Sequence, residues 1–349
     1  DAIEAAVAAW RREVTRDPHG GPADDSGEAA RAAGQRLRRA VWDPVAASLA
    51  GARQVFLVPD GALDLVAFGA LPADGDRFLV EAGPLLHVLT AERDLVRLAG
   101  GAAGGRGLLS VGGPEFGAPR DPATSRSPMR PLCPEFTALS FEPLPGAADE
   151  AREIAALLPN EAGEHLVLAG PGARADAFAT LAPGRRILHL ATHAFVLPEA
   201  CGLVPPEGPA DDLAAPPSEQ VLLRSGLAFS DGVLTAGEIA RLDLSGAQWV
   251  VLSACDTGLG DVRAGEGVVG LRHAFERAGA RTVIMSLWGA EDASARTFMR
   301  ALYAARSAGA TTAEAMRRAA VRLLEDQRAR GRTTHPYYWG GFVATGDWR

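Results

Sequence analysis

Residues 186–195 read RILHLATHAF, an apolar run that carries one histidine inside it and a second, His193, where the apolar pattern stops. A short run that is apolar on both faces fits a strand buried in a parallel sheet. Residues 248–255, QWVVLSAC, form a second such run, ending in Cys255 just before the glycine-containing turn DTGLG. Reactive groups in open α/β sheets gather at the carboxyl ends of strands. If the two strands are neighbours, His193 and Cys255 share one edge of the sheet. Histidine can then take the thiol proton and turn a weak nucleophile into a thiolate. The backbone N–H groups of Ala194 and Cys255 are candidates for binding the oxyanion of an acyl-transfer intermediate.

The pattern of these two runs recurs along the chain. QVFLV, LLHVL, GLLSVG, HLVLA and RTVIMSLW are short strand-like runs, and EAREIAALL, ADAFATLA and VVGLRHAFERAG have helical spacing. Their alternation predicts βα units and a largely parallel sheet flanked by helices. Two helices are expected between Ala293 and Ala329, and a last strand near YYWGGFVAT. Residues 1–50 read as helical, with apolar residues three and four apart in IEAAVAAWRREV and EAARAAGQRLRRAVWDPVAASLA. Gly112–Pro145 and Leu197–Gly226 lack a pattern. The second holds PPEGPADDLAAPPSEQ and is long enough for a functional loop.

Composition narrows the function classes. A chain of 349 residues with 47% hydrophobic residues can bury one large core or two smaller ones. Its net charge of -8 offers no basic field for a phosphate backbone, so nucleic acid is not expected as a direct partner. All of its positive side chains are arginine; with the abundance of Ala, Gly and Pro, that reads as compositional bias and not as function. Cysteines at 133, 201 and 255 are odd in number and far apart, which argues against a disulfide framework and for a reducing, cytoplasmic setting. No apolar run reaches membrane-spanning length, and no signal peptide opens the chain. The first residue is Asp1 and not Met, so an upstream region is expected.

The residues alone leave other readings open. A strand-end cysteine can be a small buried hydrophobe. His189, flanked by leucines, fits a core position better than a catalytic one. His189, His193 and Cys255 could ligate zinc only with a fourth ligand, and none has a sensible spacing. Ser253 lacks the Gly-x-Ser-x-Gly setting of a hydrolase nucleophile. The acidic pairs Asp211/Asp212 and Glu325/Asp326 read as solvated surface.

From Arg53 onward, VFLVPDGALDLVAFGALP, LLSVGGPEF, LPGAADEAREIAALL, ILHLATHAF, VVLSACDTGLGDVRAGEGVVGLRHAFERAGARTVIMSLW and HPYYWGGFVATGD follow one another in an order that resembles the CHAT domain family. These are caspase-like and separase-like bacterial cysteine peptidases. The resemblance implies a caspase-type sheet and a dyad of His193 and Cys255, without metal or organic cofactor. It also implies a helical remnant at 1–50, a pseudo-protease half at 51–145 and an active half at 146–349. Many relatives carry Gly where Ala194 stands. The expected function is a thiol endopeptidase cutting a protein substrate in bacterial defence or cell death, with a gasdermin-like effector as one example. The alternative is a catalytically silent scaffold that binds a protein through the same groove.

A groove of this type holds an extended peptide against a sheet edge. Thr282–Trp288 is the expected edge, with Ser286 as polar contact and Trp288 as apolar wall. Asp256 and Glu266 are the expected pocket floor, selecting a basic residue before the scissile bond; if Asp256 only caps its turn, a medium apolar residue is expected instead. Arg224 is expected to be exposed as a self-cleavage point. An upstream region or an activator protein would order the 197–226 loop.

Overall fold

The two apolar runs are adjacent parallel strands in the computed structural model. The structure describes residues 2–16, 18, 27–101, 104–116, 130, 131, 139–158, 163–197, 203, 204, 222, 224–253, 264–289 and 291–349. In chain order the strands are β1 (Gln54–Leu57), β2 (Leu85–Val88), β3 (Leu108–Pro114), β4 (Arg130–Pro131), β5 (His165–Gly170), β6 (Ile187–Ala191), β7 (Ala194–Val196), β8 (Leu203–Val204), β9 (Ser225–Phe229), β10 (Gly232–Thr235), β11 (Trp249–Leu252), β12 (Thr282–Ser286) and β13 (Phe342–Gly346). Eight of them form the expected mostly parallel sheet flanked by helices.

The chain divides into two compact units, each described by itself. Unit 1 comprises Asp1–Gly101, Leu157–Pro159 and Ile284–Arg349. Its first helix, Ala2–Val14, buries Val7, Trp10 and Val14, a spacing of three and four residues that lines one helical face. Gly34 of helix Glu28–Val41 leaves room for Pro72, because an added Cβ would stand 2.7 Å from that ring. β1 and β2 run parallel, and β13 joins β2 at Thr345 and Val88. Helices Asp292–Ser307 and Thr312–Ala329 also belong here; the second opens on a capping box in which Thr311 and Glu314 satisfy each other's backbone N–H.

Unit 2 comprises Ala102–Ala156 and Asn160–Val283. Its core is the parallel order β11-β6-β3-β5. β6 and β11 are buried at every residue, which matches sequences that are apolar throughout except for His189 in β6. A separate antiparallel sheet has the order β10-β9-β7. β9 and β10 form a hairpin around Ser230 and Asp231, and Gly232 follows at φ 138. β9 takes up the end of the stretch expected to be patternless; residues 198–202, 205–221 and 223 of that stretch lie outside the described residues.

β12 corrects one expectation. It has a strand on each side, β11 and β13, and all five of its residues are buried. It is therefore not a free edge on which a peptide could pair along its length. None of the described helices is long and apolar enough to cross a membrane.

Candidate active site

The base candidate is built from the end of β6. β6 and β11 are parallel neighbours with Leu190 opposite Leu252, and Ser253 N donates to Leu190 O at 2.9 Å. His193 stands three positions past Leu190 in sequence, as Cys255 does past Leu252. Cys255 and Asp256 lie outside the described residues, and the side chain of Glu266, within helix Ala264–Arg277, does too.

Past β6 the chain is held by β9. Thr192 Oγ1 donates to Ala228 O at 2.6 Å, and Ala228 N donates to His193 O at 2.9 Å. Ala194 then opens β7 opposite Leu227. The histidine backbone is thus tied to β9 before its ring is considered.

His193 as a residue is 6% exposed. Its Nε2 lies 2.7 Å from the carbonyl oxygen of Glu142. A carbonyl only accepts, so Nε2 carries the hydrogen and, in the neutral ring, Nδ1 carries the lone pair. Nδ1 is buried and has no hydrogen-bond partner among the described residues. Phe141 stacks on the imidazole at 5.6 Å and 21°, and Phe116 leans on it at 5.3 Å and 39°. Burial pushes the His193 pKa below its ordinary value, opposed by the hydrogen bond to the Glu142 carbonyl and by the Glu142 charge. The group is therefore kept as a neutral ring with one nitrogen held and the other available, the state a general base requires.

His189 has the core position expected of it. It is fully buried inside β6, and its Nε2 lies 3.0 Å from Glu150 Oε1. Arg224, by contrast, is not an exposed cleavage point: it is 6% exposed, and its Nη1 donates to Leu197 O at 3.3 Å. Ser225 and Gly226 follow it, but Leu222 and Leu223 precede it, and it stands directly before the fully buried β9.

Ser286 and Trp288 belong to unit 1. Ser286 Oγ donates to Trp288 O at 2.6 Å, and both residues are buried. The Trp288 indole donates to Tyr337 O at 3.3 Å and meets Trp10 edge to face at 5.8 Å.

The sequence reading missed Glu142, Phe116, Phe141 and Glu150. Phe141 and Leu139 pack on Phe195 and Leu197, which fixes the strand after the histidine. An apolar pair two residues apart in a stretch otherwise without pattern is the only local sign of this. Glu150 had a clearer signal, because it shares a helical face with Ala147, Ala151 and Ile154, all buried.

The CHAT domain family model matches residues 31–347. No curated protein matches the chain. Among solved structures, the Arg-specific cysteine proteinase gingipain R is similar with a TM-score of 0.52 at 11% identity, covering 99% of this chain and 74% of that one. The complex of the RgpB pro- and mature domains from Porphyromonas gingivalis is similar with a TM-score of 0.53 at 12% identity, covering 99% and 75%. At such identities the likeness establishes the caspase-like fold. Matched over nearly its whole length, the chain belongs to the CHAT domain family and is by that membership a caspase-like cysteine peptidase, a hydrolase.

Proposed function

We propose that the chain is an endopeptidase whose nucleophile is Cys255 and whose base and acid is His193. The observation that carries this reading is the tautomer of His193: Nε2–H is bound by the Glu142 carbonyl, and Nδ1 is left as the proton acceptor. β11, which leads to Cys255, is the strand next to the one that leads to His193.

The steps balance on these two residues. Nδ1 takes the proton from the Cys255 thiol, and the thiolate adds to the scissile carbonyl carbon, forming the C–S bond. The backbone N–H groups of Ala194 and Cys255 are the proposed donors to the oxyanion. As the C–N bond breaks, the imidazolium gives its proton to the leaving amine. Nδ1 then takes a proton from water, whose oxygen attacks the thioester; the C–S bond breaks and the thiol is restored. No metal or organic cofactor enters any step.

The finer parts of the reading rest on the family resemblance. Asp256 and Glu266 are proposed to form the floor of the pocket for the residue before the cut. Residues 51–145 and 146–349 are proposed as pseudo-protease and active halves. A cytoplasmic defence role, a gasdermin-like effector as substrate and an upstream or separate activator complete it. Labelling with an electrophilic peptide probe tests the core of the reading: modification of Cys255 that is lost in His193→Ala supports it, and a protein that binds peptide without labelling would make it a scaffold.

A further inference from the structure

One segment of unit 2 grips both histidines of the HLATH stretch. Glu142 holds His193 through its carbonyl oxygen at 2.7 Å. Further along the same segment, Glu150 holds His189 through its carboxylate at 3.0 Å, and those two side chains are 3% and 0% exposed. The link between them is Pro143, Leu144, Pro145 and Gly146. Two prolines fix φ at their positions, so the link is short and stiff. Ala147 N donates to Leu144 O at 3.2 Å and Glu150 N to Gly146 O at 2.9 Å, which joins it to helix Ala147–Leu157 without slack.

The helix is seated as tightly as it is linked. Gly112 in β3 faces its first turn so closely that an added Cβ would stand 2.1 Å from Ala147 O and 2.7 Å from the Ala151 Cβ. Beside it, Gly113 at φ 55 lies under Ala148. β3 pairs with β6, setting Ser110 opposite His189. The helix therefore rests on β3 and reaches past it with one carboxylate to β6. A carboxylate this buried is costly unless it is hydrogen-bonded, so the contact to His189 fixes where the helix can sit.

We propose that Glu150 is a positioning residue for His193: by locking helix Ala147–Leu157 to β6 through His189, it places the Glu142 carbonyl that selects the tautomer of the base. This rests on the peptidase reading above. Glu150 touches neither substrate nor the reacting atoms; it acts through the stiff link. A shift of about 1 Å in a group that orients a catalytic residue can lower turnover about a hundredfold.

The test uses the full chain with isotope-labelled histidine and reads the His193 tautomer by NMR, beside kcat, KM and melting. Glu150→Leu is expected to mix the His193 tautomers and to lower kcat about a hundredfold with KM little changed. Glu150→Gln, which can still accept from His189, is expected to restore the Nε2–H tautomer and most of kcat. Should Glu150→Leu not fold, Pro145→Gly reads the same path from an exposed position, and it is expected to mix the tautomers more weakly. Retention of the pure Nε2–H tautomer in every folded variant that breaks the lock or the link would overturn the proposal. A wild-type chain that cuts no peptide would defeat the peptidase reading alone, since the tautomer measurement does not depend on cleavage.

Discussion

His87 in unit 1 and His193 in unit 2 make the same bond. Each places Nε2 against a backbone carbonyl, Gly346 at 2.9 Å for the first and Glu142 at 2.7 Å for the second. Burial lowers both pKa values, and for His87 it brings the value down to about 4. What separates them is position along a strand. His87 lies within β2, hydrogen-bonded to the last residue of β13, and serves the sheet that contains it. His193 lies beyond β6, where the ladder has ended, and its Nδ1 has no hydrogen-bond partner among the described residues. A similar local environment yields a stability element in one unit and the proposed base in the other.

The contrast breaks first on activity. Cys255→Ala and His193→Ala should each lower peptide cleavage by about a thousandfold or more without loss of fold, because members of one catalytic unit fail together. His87→Leu should leave kcat near the wild-type value; kinetics on the purified variants decide, and equal damage from His87→Leu would end the distinction.

The next effect is on stability against pH. The folded value of His87 lies below its unfolded value of 6.5, so the neutral ring costs nothing above that pH. As the pH falls from 6.5 toward 4, the unfolded chain takes up a proton that the folded one refuses. The gap corresponds to about 3 kcal/mol of stability lost over that window. Denaturant titrations should show the loss in wild type and a flatter profile in His87→Leu.

Smaller again is the cap of helix Thr312–Ala329. Thr311→Ala removes the hydroxyl that accepts from Glu314 N at 3.3 Å and should cost about 1 kcal/mol, with cleavage unaffected. The smallest effect is a displacement along the pH axis. The base works only when neutral, and its lowered pKa places the acid limb of the activity profile below the ordinary histidine range. A limb at or above that range would show that His193 is not the titrating group.

Much of this was readable before any coordinates. Runs without polar alternation announced β6 and β11, since a strand covered on both faces has no polar side to display. Their ends announced His193, and the two runs do lie side by side. The carbonyl of Glu142 was not readable, because every residue has one and side-chain identity does not encode which will be used. Glu150 was readable in principle: a carboxylate at a buried helical position demands a partner, and a histidine in a nearby strand could have been sought. The β9–β10 hairpin was also written in Ser230-Asp231-Gly232, a turn signal overshadowed by the proline-rich stretch before it. The edge role of Thr282–Trp288 failed because chain order says nothing about which strand is inserted between which. Arg224 failed because composition around a residue is a poor guide to burial once a strand begins there.

The makeup of unit 1 has a consequence for synthesis. Its first hundred or so residues close with Ile284–Arg349, whereas unit 2 lies wholly between them in sequence. β2 leaves the ribosome long before β13, the partner it meets at Val88. At ordinary elongation rates of about 5–20 residues per second the wait is on the order of tens of seconds. Throughout that interval an apolar strand has no neighbour on one side, a state prone to aggregation. Unit 2 can close in the meantime. Nascent chains halted before Phe342 should therefore resist protease in the middle third and be cut in the first, which makes β13 the step that completes unit 1.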